Sequence, residues 1–474
     1  MTANTGAKRL LLCVPATIFL LFSVAIFILL LVFDQLFLIL LAKNLAISPT
    51  SPIYPNWIKP SVPIFFNVTL FNVTNPDEIL AGGRPRLREG LLAKGMSFLR
   101  GGHGPFIKLT AQEVMWGYYP TALKIFITFG AMDDNKVGLF AKHNGTNINE
   151  FLVNTGAANI QDIGKIYEVD GQTIMKVWQH HEANMINGTD GSLAPPGLSV
   201  GSTVSFHVPD ICRSSTLYAI EERTTVHRDD IQVIAFSGNP PDPTSALSRW
   251  RTEMFCHPDT GCPPAGLLAL EPCIASKGPS LPFFLSMPFF LGADPTLREP
   301  FDGLSEPSEA LHSTWVHIEP VTGAVLEAFK RIQFNVYMAN SDSAFAAMKG
   351  PYYFPIGWLT ELAIADEPAL TLLSDKVFKP RKLLPFLMTI VSAALFTVSL
   401  ILFIILCVIS RRTVRTGKRS NVVVPVSGKA DDLDHTLSTW DAKAGGDHSQ
   451  APEAKPLLSP SPHTGVRTTV PPRV

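Results

Sequence analysis

Two long uncharged runs constrain the fold of this 474-residue chain more than any other feature. They occupy residues 10–33 and 383–410, which are 24 and 28 residues long. At 1.5 Å per residue, helices of these lengths reach about 36 and 42 Å, enough to cross a hydrocarbon core of about 30 Å. Helices satisfy their own backbone groups in lipid, so we expect both runs to span a membrane despite Pro15 and Pro385.

The first run favours an uncleaved anchor over a signal peptide. A signal peptide has an apolar region of about 7–15 residues followed by small residues at a cleavage site. The first run is longer than that, ends at Asp34 and resumes over residues 35–42 (QLFLILLA).

Basic residues predict the orientation of the two spans. Lys8 and Arg9 precede the first span, and five basic residues follow the second within residues 411–419, against three in residues 379–382 on its other side. By the positive-inside tendency both termini are cytosolic. We therefore expect a short cytosolic N-terminus (1–9), a lumenal or extracellular ectodomain (34–382) and a cytosolic tail (411–474). The tail is rich in Ser, Thr, Pro and Gly, and we expect it to be disordered.

Four N-glycosylation sequons agree with this orientation, because acceptor asparagines are used only on the lumenal or extracellular side. All four lie between the spans, at Asn67, Asn72, Asn144 and Asn187.

Cysteine usage fits an oxidising compartment. Two of the six cysteines, Cys13 and Cys407, lie inside the predicted spans. An even set of four in the ectodomain predicts two disulfides, with three pairings open. Their spacing contains no C-x2-C pair, so it does not favour a zinc site. The four are Cys212, Cys256, Cys262 and Cys273.

The ectodomain sequence predicts an α+β fold with a mainly antiparallel sheet, because short β-type runs are separated by Pro, Gly, Asn and Asp without regular βα alternation. The clearest runs are residues 64–66, 68–73, 202–208, 232–236, 281–285, 315–318 and 334–338. A capping-box pattern at Thr110 predicts a helix start there, with Glu113 as the reciprocal partner.

Neither composition nor motifs indicate an enzyme or a nucleic-acid-binding protein. With 39 basic and 40 acidic residues the net charge is -1, which argues against a phosphate-binding surface. Residues 197–201 (GLSVG) match a hydrolase pattern, but a strand-like segment follows where that motif needs a helix. Residues 180–182 (HHE) lack metal-site spacing, and the aromatic run 283–290 favours a buried strand over a ligand wall. We expect no cofactor and no metal.

Several segments together resemble the class B scavenger receptor family, in the family's order. Residues 71–80 (FNVTNPDEIL) are similar to a signature near the start of its ectodomains. Residues 283–295 resemble its S-x-P-H-F-x-x-A-D segment, with Phe289 where His is usual. Further similar segments are residues 115–118 (MWGY), 137–140 (VGLF), 184–191 (NMINGTDG) and 318–323 (IEPVTG).

Within that family the chain resembles the lysosomal branch. The resemblance implies the pairing Cys212–Cys273 and Cys256–Cys262, and residues 330–337 (KRIQFNVY) are similar to a segment of that branch. The tail contains the acidic dileucine pattern Glu453, Leu457, Leu458, of the kind that clathrin adaptors bind in endosomal and lysosomal cargo.

The chain also departs from the family. After Glu89, residues 90–109 replace a segment that is longer by about 60–70 residues in the family, which supplies a core strand and much of a helical cap. Leu109 stands where a lysosomal relative has a pH-sensing His. We therefore expect a truncated cap, which arises either from the transcript or from divergence.

The resemblance implies a β-barrel-like ectodomain that encloses an apolar tunnel, on a two-span membrane hairpin. It implies a receptor in the lysosomal or late-endosomal membrane that escorts a lumenal hydrolase of the β-glucosidase type, transfers cholesterol, phospholipid or fatty acid, or does both. The expected partners are these lipids, the hydrolase and a clathrin adaptor, and a homo-oligomer is compatible with them. The alternatives are a plasma-membrane scavenger receptor for lipoproteins or fatty acids, and a structural lysosomal glycoprotein.

Overall fold

The computed structural model describes residues 3–59, 62–90, 109–119, 138, 140, 149–225, 231–238, 253–256, 261–275, 282–338, 349–419 and 465–469. Within these ranges the α-helices are α1 (Ala3–Leu45), α2 (Tyr54–Ile58), α3 (Pro76–Leu80), α4 (Ala111–Trp116), α5 (Glu271–Ala275), α6 (Glu309–His312), α7 (Glu367–Leu373) and α8 (Lys379–Arg419). Most of α1, up to Leu36, and α8 from Pro380 belong to one compact unit, and residues 37–379 and 464–474 belong to a second.

Two helical segments are long and apolar enough to cross a membrane. They cover Leu12–Leu45 and Glu367–Arg412. The first extends beyond the span predicted at residues 10–33, because α1 continues through Asp34 to Leu45. The second includes the predicted span at residues 383–410 and the short helix α7 before it.

Serine side chains join α1 and α8 along one seam. Ser23 Oγ donates to the Ser392 carbonyl at 3.0 Å, and Ser392 Oγ donates back to the Ser23 carbonyl at 3.1 Å. Ser399 Oγ donates to the Ala16 carbonyl at 2.8 Å. Because positions rise along one helix as they fall along the other, the two helices run antiparallel.

The seam repeats at steps of four and three residues, which is the spacing of two helices that pack side by side as a left-handed pair. Small residues and hydroxyls are the groups that allow apolar helices to approach closely in lipid. Less exposed positions at this spacing in α1 are Leu12, Ala16, Phe19, Ser23, Ile26, Leu30 and Phe33. Those in α8 are Arg381, Pro385, Met388, Ser392, Leu395, Ser399, Leu402, Leu406 and Ile409.

A ten-stranded antiparallel sheet forms the main body of the second unit. The strands of the unit are β1 (Ile64–Val73), β2 (Leu87–Gly90), β3 (Glu150–Asn154), β4 (Ile166–Val169), β5 (Thr203–Val208), β6 (Arg213–Thr224), β7 (Gln232–Ser237), β8 (Leu268–Ala269), β9 (Phe283–Ser286), β10 (Trp315–Ile318), β11 (Val325–Met338) and β12 (Tyr352–Ile364). The order in the ten-stranded sheet is β2-β1-β12-β11-β10-β7-β6-β5, with β9 paired to β11 and β8 paired to β9. The mixed α+β class and the antiparallel sheet agree with the sequence analysis.

The longest pairing joins β11 to β12, and the sequence analysis did not predict β12. Pro355 interrupts its apolar pattern, and proline cannot donate to a strand ladder. The structure accommodates it at an irregularity: Asn335 pairs with Pro355 and Phe334 pairs with Gly357, so one residue of β12 is left unpaired. Such bulges are where sheets accept proline.

Loops cover both outer strands of this sheet. Beside β5, the Thr189 amide donates to the Ser205 carbonyl at 3.0 Å, and the His207 amide donates to the Thr189 carbonyl at 2.8 Å. Beside β2, the Leu87 amide donates to the Asp302 carbonyl at 2.8 Å. Covered edges leave fewer backbone groups free to pair with another chain.

Gly188 makes the approach of the first of these loops possible. Its φ is +87°, and a Cβ atom there would lie 1.9 Å from the Ser205 carbonyl oxygen. Only glycine fits such a contact, because both the backbone conformation and the space exclude a side chain.

Two buried amides on β11 brace a strained turn in the core. The Phe289 amide donates to Gln333 Oε1 at 2.7 Å, and Gln333 Nε2 donates to Asn335 Oδ1 at 2.8 Å. Asn335 Nδ2 then donates to Ser286 Oγ at 3.0 Å. Phe289 and Phe290 are both left-handed, with φ of +56° and +58°, which is costly for residues other than glycine.

A separate small sheet has the order β13-β3-β4, where β13 is Gly465–Thr469. Val466 pairs with Val153 and Thr468 with Phe151. In a chain that crosses a membrane twice, the tail and the segment between the spans lie on opposite faces. This pairing and the two-span arrangement therefore exclude each other.

We expect Gly188→Ala to prevent normal folding, because the new Cβ meets the β5 backbone. Gly197→Ala is the matched control: Gly197 has φ +82° but nothing within 4 Å of its Cβ position, so it should lose only about 1–2 kcal/mol. The Asn187 sequon survives in both variants. Thermal unfolding and the fraction of chain that leaves the endoplasmic reticulum measure the difference, and equal behaviour of the two variants would contradict the contact.

We expect Gln333→Leu to destabilise the ectodomain by about 1–3 kcal/mol for each buried group that it leaves unpaired. The Phe289 amide loses its acceptor, and Asn335 Oδ1 loses its donor. Gln232→Leu, at an exposed position of β7, should change stability by no more than about 0.5 kcal/mol. A thermal unfolding midpoint that is the same in both variants would show that the amide pair does not stabilise the core.

Candidate functional site

The second unit contains two disulfides, Cys212–Cys273 and Cys256–Cys262, with Cα–Cα distances of 5.6 and 4.4 Å. The first joins the start of β6 to α5 across 61 positions, and both of its residues are buried. The second closes a loop of 6 positions. In the chain-entropy description these crosslinks stabilise the fold by about 4 and about 2 kcal/mol.

A buried arginine lies next to both disulfides. The Arg213 guanidinium carbon sits 4.6 Å from the centre of the Trp178 ring and 4.0 Å from that of Phe255. Arg213 Nη2 donates to the Ala269 carbonyl at 3.0 Å. Because Arg213 follows Cys212 and Phe255 precedes Cys256, this stack ties the two crosslinked segments together.

Burial lowers the pKa of Arg213 to about 9, so the side chain is still a cation at neutral and acidic pH. Cation–π contacts become stronger when the cation is desolvated, as it is here. Trp178 is held in turn, since its indole N–H donates to the Cys212 carbonyl at 2.6 Å. The sequence analysis did not identify this cluster.

The hydrogen bonds of Asn184 give a structural reason for the asparagine that begins the NMINGTDG segment. Its Oδ1 accepts hydrogen bonds from the Val177 and Trp178 amides, both at 2.8 Å. Its Nδ2 donates to the carbonyls of Trp178 and His180 at 2.6 and 3.0 Å. This buried amide therefore shapes the loop that presents Trp178 to Arg213.

The structure places three of the four predicted glycosylation sites. Asn67 and Asn187 are exposed, and Asn72 is half-buried on β1. Asn144 lies outside the described residues. An exposed asparagine has room for a glycan, whereas glycosylation itself stays a prediction.

The sorting residues Glu453, Leu457 and Leu458 also lie outside the described residues. The same is true of nearly all of the short connection at residues 90–109, since only its end residues are described.

The sequence analysis did not accept two motifs as catalytic. In the described part of the chain, neither motif is arranged for catalysis. Ser199 lies in a turn before β5, where its amide donates to Ser202 Oγ at 3.0 Å. His180, His181 and Glu182 are all exposed. No group of three His, Cys, Asp or Glu residues within the described ranges could hold a metal ion.

An aromatic cluster surrounds one buried histidine. The His312 ring lies 4.6 Å from that of Phe289 and 5.7 Å from that of Trp358. Burial lowers the pKa of His312, the Arg331 cation lowers it further, and the Glu89 carboxylate opposes both. Because the folded state disfavours the proton, this group makes folding less favourable as the pH falls from the ordinary value of 6.5 toward the folded-state pKa.

Three large aromatic side chains of β1 and α4 are exposed. Phe65 and Phe66 of β1 are 59% and 50% exposed, and Trp116 of α4 is 41% exposed. β2 pairs with only the last part of β1, from Leu70 to Val73.

Comparison with known proteins identifies the family. A sequence profile of the CD36 family matches residues 16–90 and 89–409. The lysosome membrane protein 2 of Rattus norvegicus is 26% identical over 403 aligned positions, which cover 71% of this chain and 82% of the relative.

Two other kinds of relative are similar. The scavenger receptor class B member 1 of Sus scrofa is 26% identical over 419 positions, covering 72% of this chain and 79% of the relative. The sensory neuron membrane protein 1 of Plutella xylostella is 28% identical over 253 positions, covering 52% of this chain and 45% of the relative.

These comparisons also locate the shortened segment. The two profile matches meet at residues 89–90, where the sequence analysis placed the missing stretch. The alignment with the rat protein has 403 positions, and 71% of this 474-residue chain, about 337 residues, lies in it. About 66 positions of the rat protein therefore have no counterpart here. With the profile matching most of the chain on both sides of that break, this protein belongs to the CD36 family of class B scavenger receptors.

Proposed function

We propose that this chain is a receptor of the lysosomal or late-endosomal membrane that transfers lipid through its ectodomain. The observation that carries the proposal is the similarity to lysosome membrane protein 2 over 82% of that protein's length. Scavenger receptor relatives support lipid as the cargo, and burying an apolar chain inside a protein lowers its cost of passage through water.

The proposed topology is a hairpin with both termini in the cytosol. The antiparallel seam supports it, because Ser23 and Ser392 face each other within the two spans. Arg381 Nε lies 3.3 Å from Asp34 Oδ1, where both helices leave the apolar run. The basic residues that follow the second span and the sequons between the spans give the same orientation.

The proposed ectodomain closes into a barrel around an apolar tunnel. The ten-stranded sheet supports this proposal, although its described pairings run from β2 to β5 without joining these two strands. Escort of a β-glucosidase-type hydrolase is a second role for the same receptor. It depends on the helical cap that the family resemblance implies, and the two profile matches meet at residues 89–90, where the sequence analysis expects that cap to be truncated.

A plasma-membrane scavenger receptor is the alternative function. The similarity to scavenger receptor class B member 1 favours it, because identity and coverage are nearly the same as for the lysosomal relative. A structural lysosomal glycoprotein is the third candidate. The membrane in which the protein resides distinguishes the first two functions. We propose that the dileucine pattern in the tail determines that membrane.

Replacing Leu457 and Leu458 by Ala should move the protein to the cell surface. A dileucine pair binds a preformed adaptor pocket as an extended peptide, and loss of both apolar side chains removes that contact. We expect surface abundance to rise several-fold and internalisation to slow, both measured by surface biotinylation.

The matched control is Leu433→Ala with Leu437→Ala, which removes two leucines from the same tail outside the acidic pattern. It should leave the distribution unchanged. If the Leu457 and Leu458 variant stays in lysosomes like the control, the sorting signal is not at this position. The plasma-membrane function gains support only if the unaltered protein is found at the cell surface.

A further inference from the structure

The small sheet of the second unit has an edge that accepts an extended strand. β3 pairs with β4 along one side and with β13 along the other, which we call the outer side. The hairpin proposed above places β13 in the cytosol and β3 on the opposite face of the membrane. On that topology the two strands cannot meet, and no other strand of the described residues pairs with the outer side of β3.

The backbone groups of β3 alternate between its two sides, as in any strand. The Glu150 carbonyl accepts a hydrogen bond at 2.8 Å from the amide of Asp170, the residue that follows β4. The Asn154 amide donates at 2.8 Å to the residue that precedes β4. The amides and carbonyls of Phe151 and Val153 therefore point to the outer side.

This edge is short. The Thr155 carbonyl, which also points to the outer side by the same alternation, already accepts a hydrogen bond from the Ile47 amide at 2.7 Å. An added antiparallel strand therefore hydrogen-bonds to the amides and carbonyls of Phe151 and Val153. A pair of strands is marginally stable on its own, and a third strand adds stability.

The buried face of the edge favours β-branched or apolar side chains in an added strand. Val153 is 5% exposed and belongs to a buried apolar cluster, against which Phe151 packs. The register of β13 places Val466 opposite Val153 and Thr468 opposite Phe151. Both Val and Thr are β-branched, and such residues are favoured in cross-strand pairs.

The other face of the edge carries negative charge. The register places position 467, an arginine, in one row with Leu152 and Glu168 across the three strands. Glu150 stands two residues before Leu152 and therefore shares its face. A basic residue at the middle position of an added strand is complementary to these two carboxylates.

We propose that the outer side of β3 is a docking site for an extended segment of a partner protein on the lumenal or extracellular side. The segment adds an antiparallel strand, with β-branched or apolar residues opposite Phe151 and Val153 and a basic residue between them. Residues 465–469 (GVRTT) have this pattern and fit the register. The inference rests on the proposed two-span topology, and it depends on neither lysosomal residence nor the lipid tunnel.

A synthetic peptide of residues 463–471 (HTGVRTTVP) is the probe. The full chain is placed in sealed phosphatidylcholine vesicles, which separate the tail from the ectodomain, and empty vesicles are the blank. Surface plasmon resonance on the captured vesicles measures binding. We expect saturable binding with a Kd below about 1 mM.

N-methylation of the peptide distinguishes strand addition from non-specific adhesion. Methyl groups on the amides of positions 466 and 468, which face β3, should weaken binding by about tenfold or more, because both donors are lost. Methyl groups on the amides of positions 467 and 469, which face away from β3, are the matched control and should leave the affinity unchanged. Equal affinities of the two methylated peptides would overturn the proposal.

Arg467→Glu in the peptide tests the preference for a basic residue. We expect binding to weaken by about two- to fivefold at low ionic strength, and this difference should disappear at about 1 M salt, where the charges are screened. An affinity equal to that of the unaltered peptide at low ionic strength would contradict the charge complementarity.

A tail variant distinguishes the docking site from the topology on which it rests. In Val466→Pro with Thr468→Pro, the chain's own segment can no longer pair with β3. Equal peptide binding to the altered and the unaltered chain supports the proposal. Binding to the altered chain alone means that the tail itself fills the edge, which overturns both the proposal and the hairpin. No binding to either chain overturns the proposal and leaves the hairpin intact.

Discussion

The buried contact between Gln333 and Asn335 on β11 is the interaction on which most of the ectodomain depends. β11 pairs with β10, β12 and β9, so its register sets four strands at once. The two amides fix that register from inside the core, because each finds its partners only when β9 and the Phe289 turn are in place. That turn carries Phe289 into the His312 cluster and Phe290 into the main core. A polar pair in the core thus positions the aromatic side chains on either side of the turn.

A second constraint comes from the two apolar helices. If both helices span a membrane, this antiparallel seam returns the chain to the side where it began, and the proposed hairpin places the segment between them on the other face. The position of the sequons and the two disulfides of the ectodomain fit an oxidising, glycosylating compartment. Within the described residues, the pairing of β13 with β3 is a feature that this arrangement does not allow.

Local sequence patterns correctly predicted structural features that depend on neighbouring residues. The capping box at Thr110 is present, with the Glu113 amide donating to Thr110 Oγ1 at 3.2 Å, and β10 has the predicted bounds. Strand β6 was missed because Glu and Arg interrupt its apolar pattern, and β12 because of Pro355. The stack of Trp178, Arg213 and Phe255 was not predictable, since its members meet only through the tertiary fold. The NMINGTDG segment was recognised as a pattern, but the contacts of Asn184 and Gly188 that explain it are equally non-local.

Membrane sidedness tests the central claim most directly. In sealed vesicles prepared with the cytosolic face outward, a protease should remove an epitope placed after Val474, while the ectodomain stays protected and carries a glycan at Asn187. That result requires two crossings, a lumenal ectodomain and a cytosolic tail. Protection of the epitope together with the ectodomain would place both on one side, in agreement with the β13–β3 pairing, and would contradict the hairpin receptor proposed for this chain.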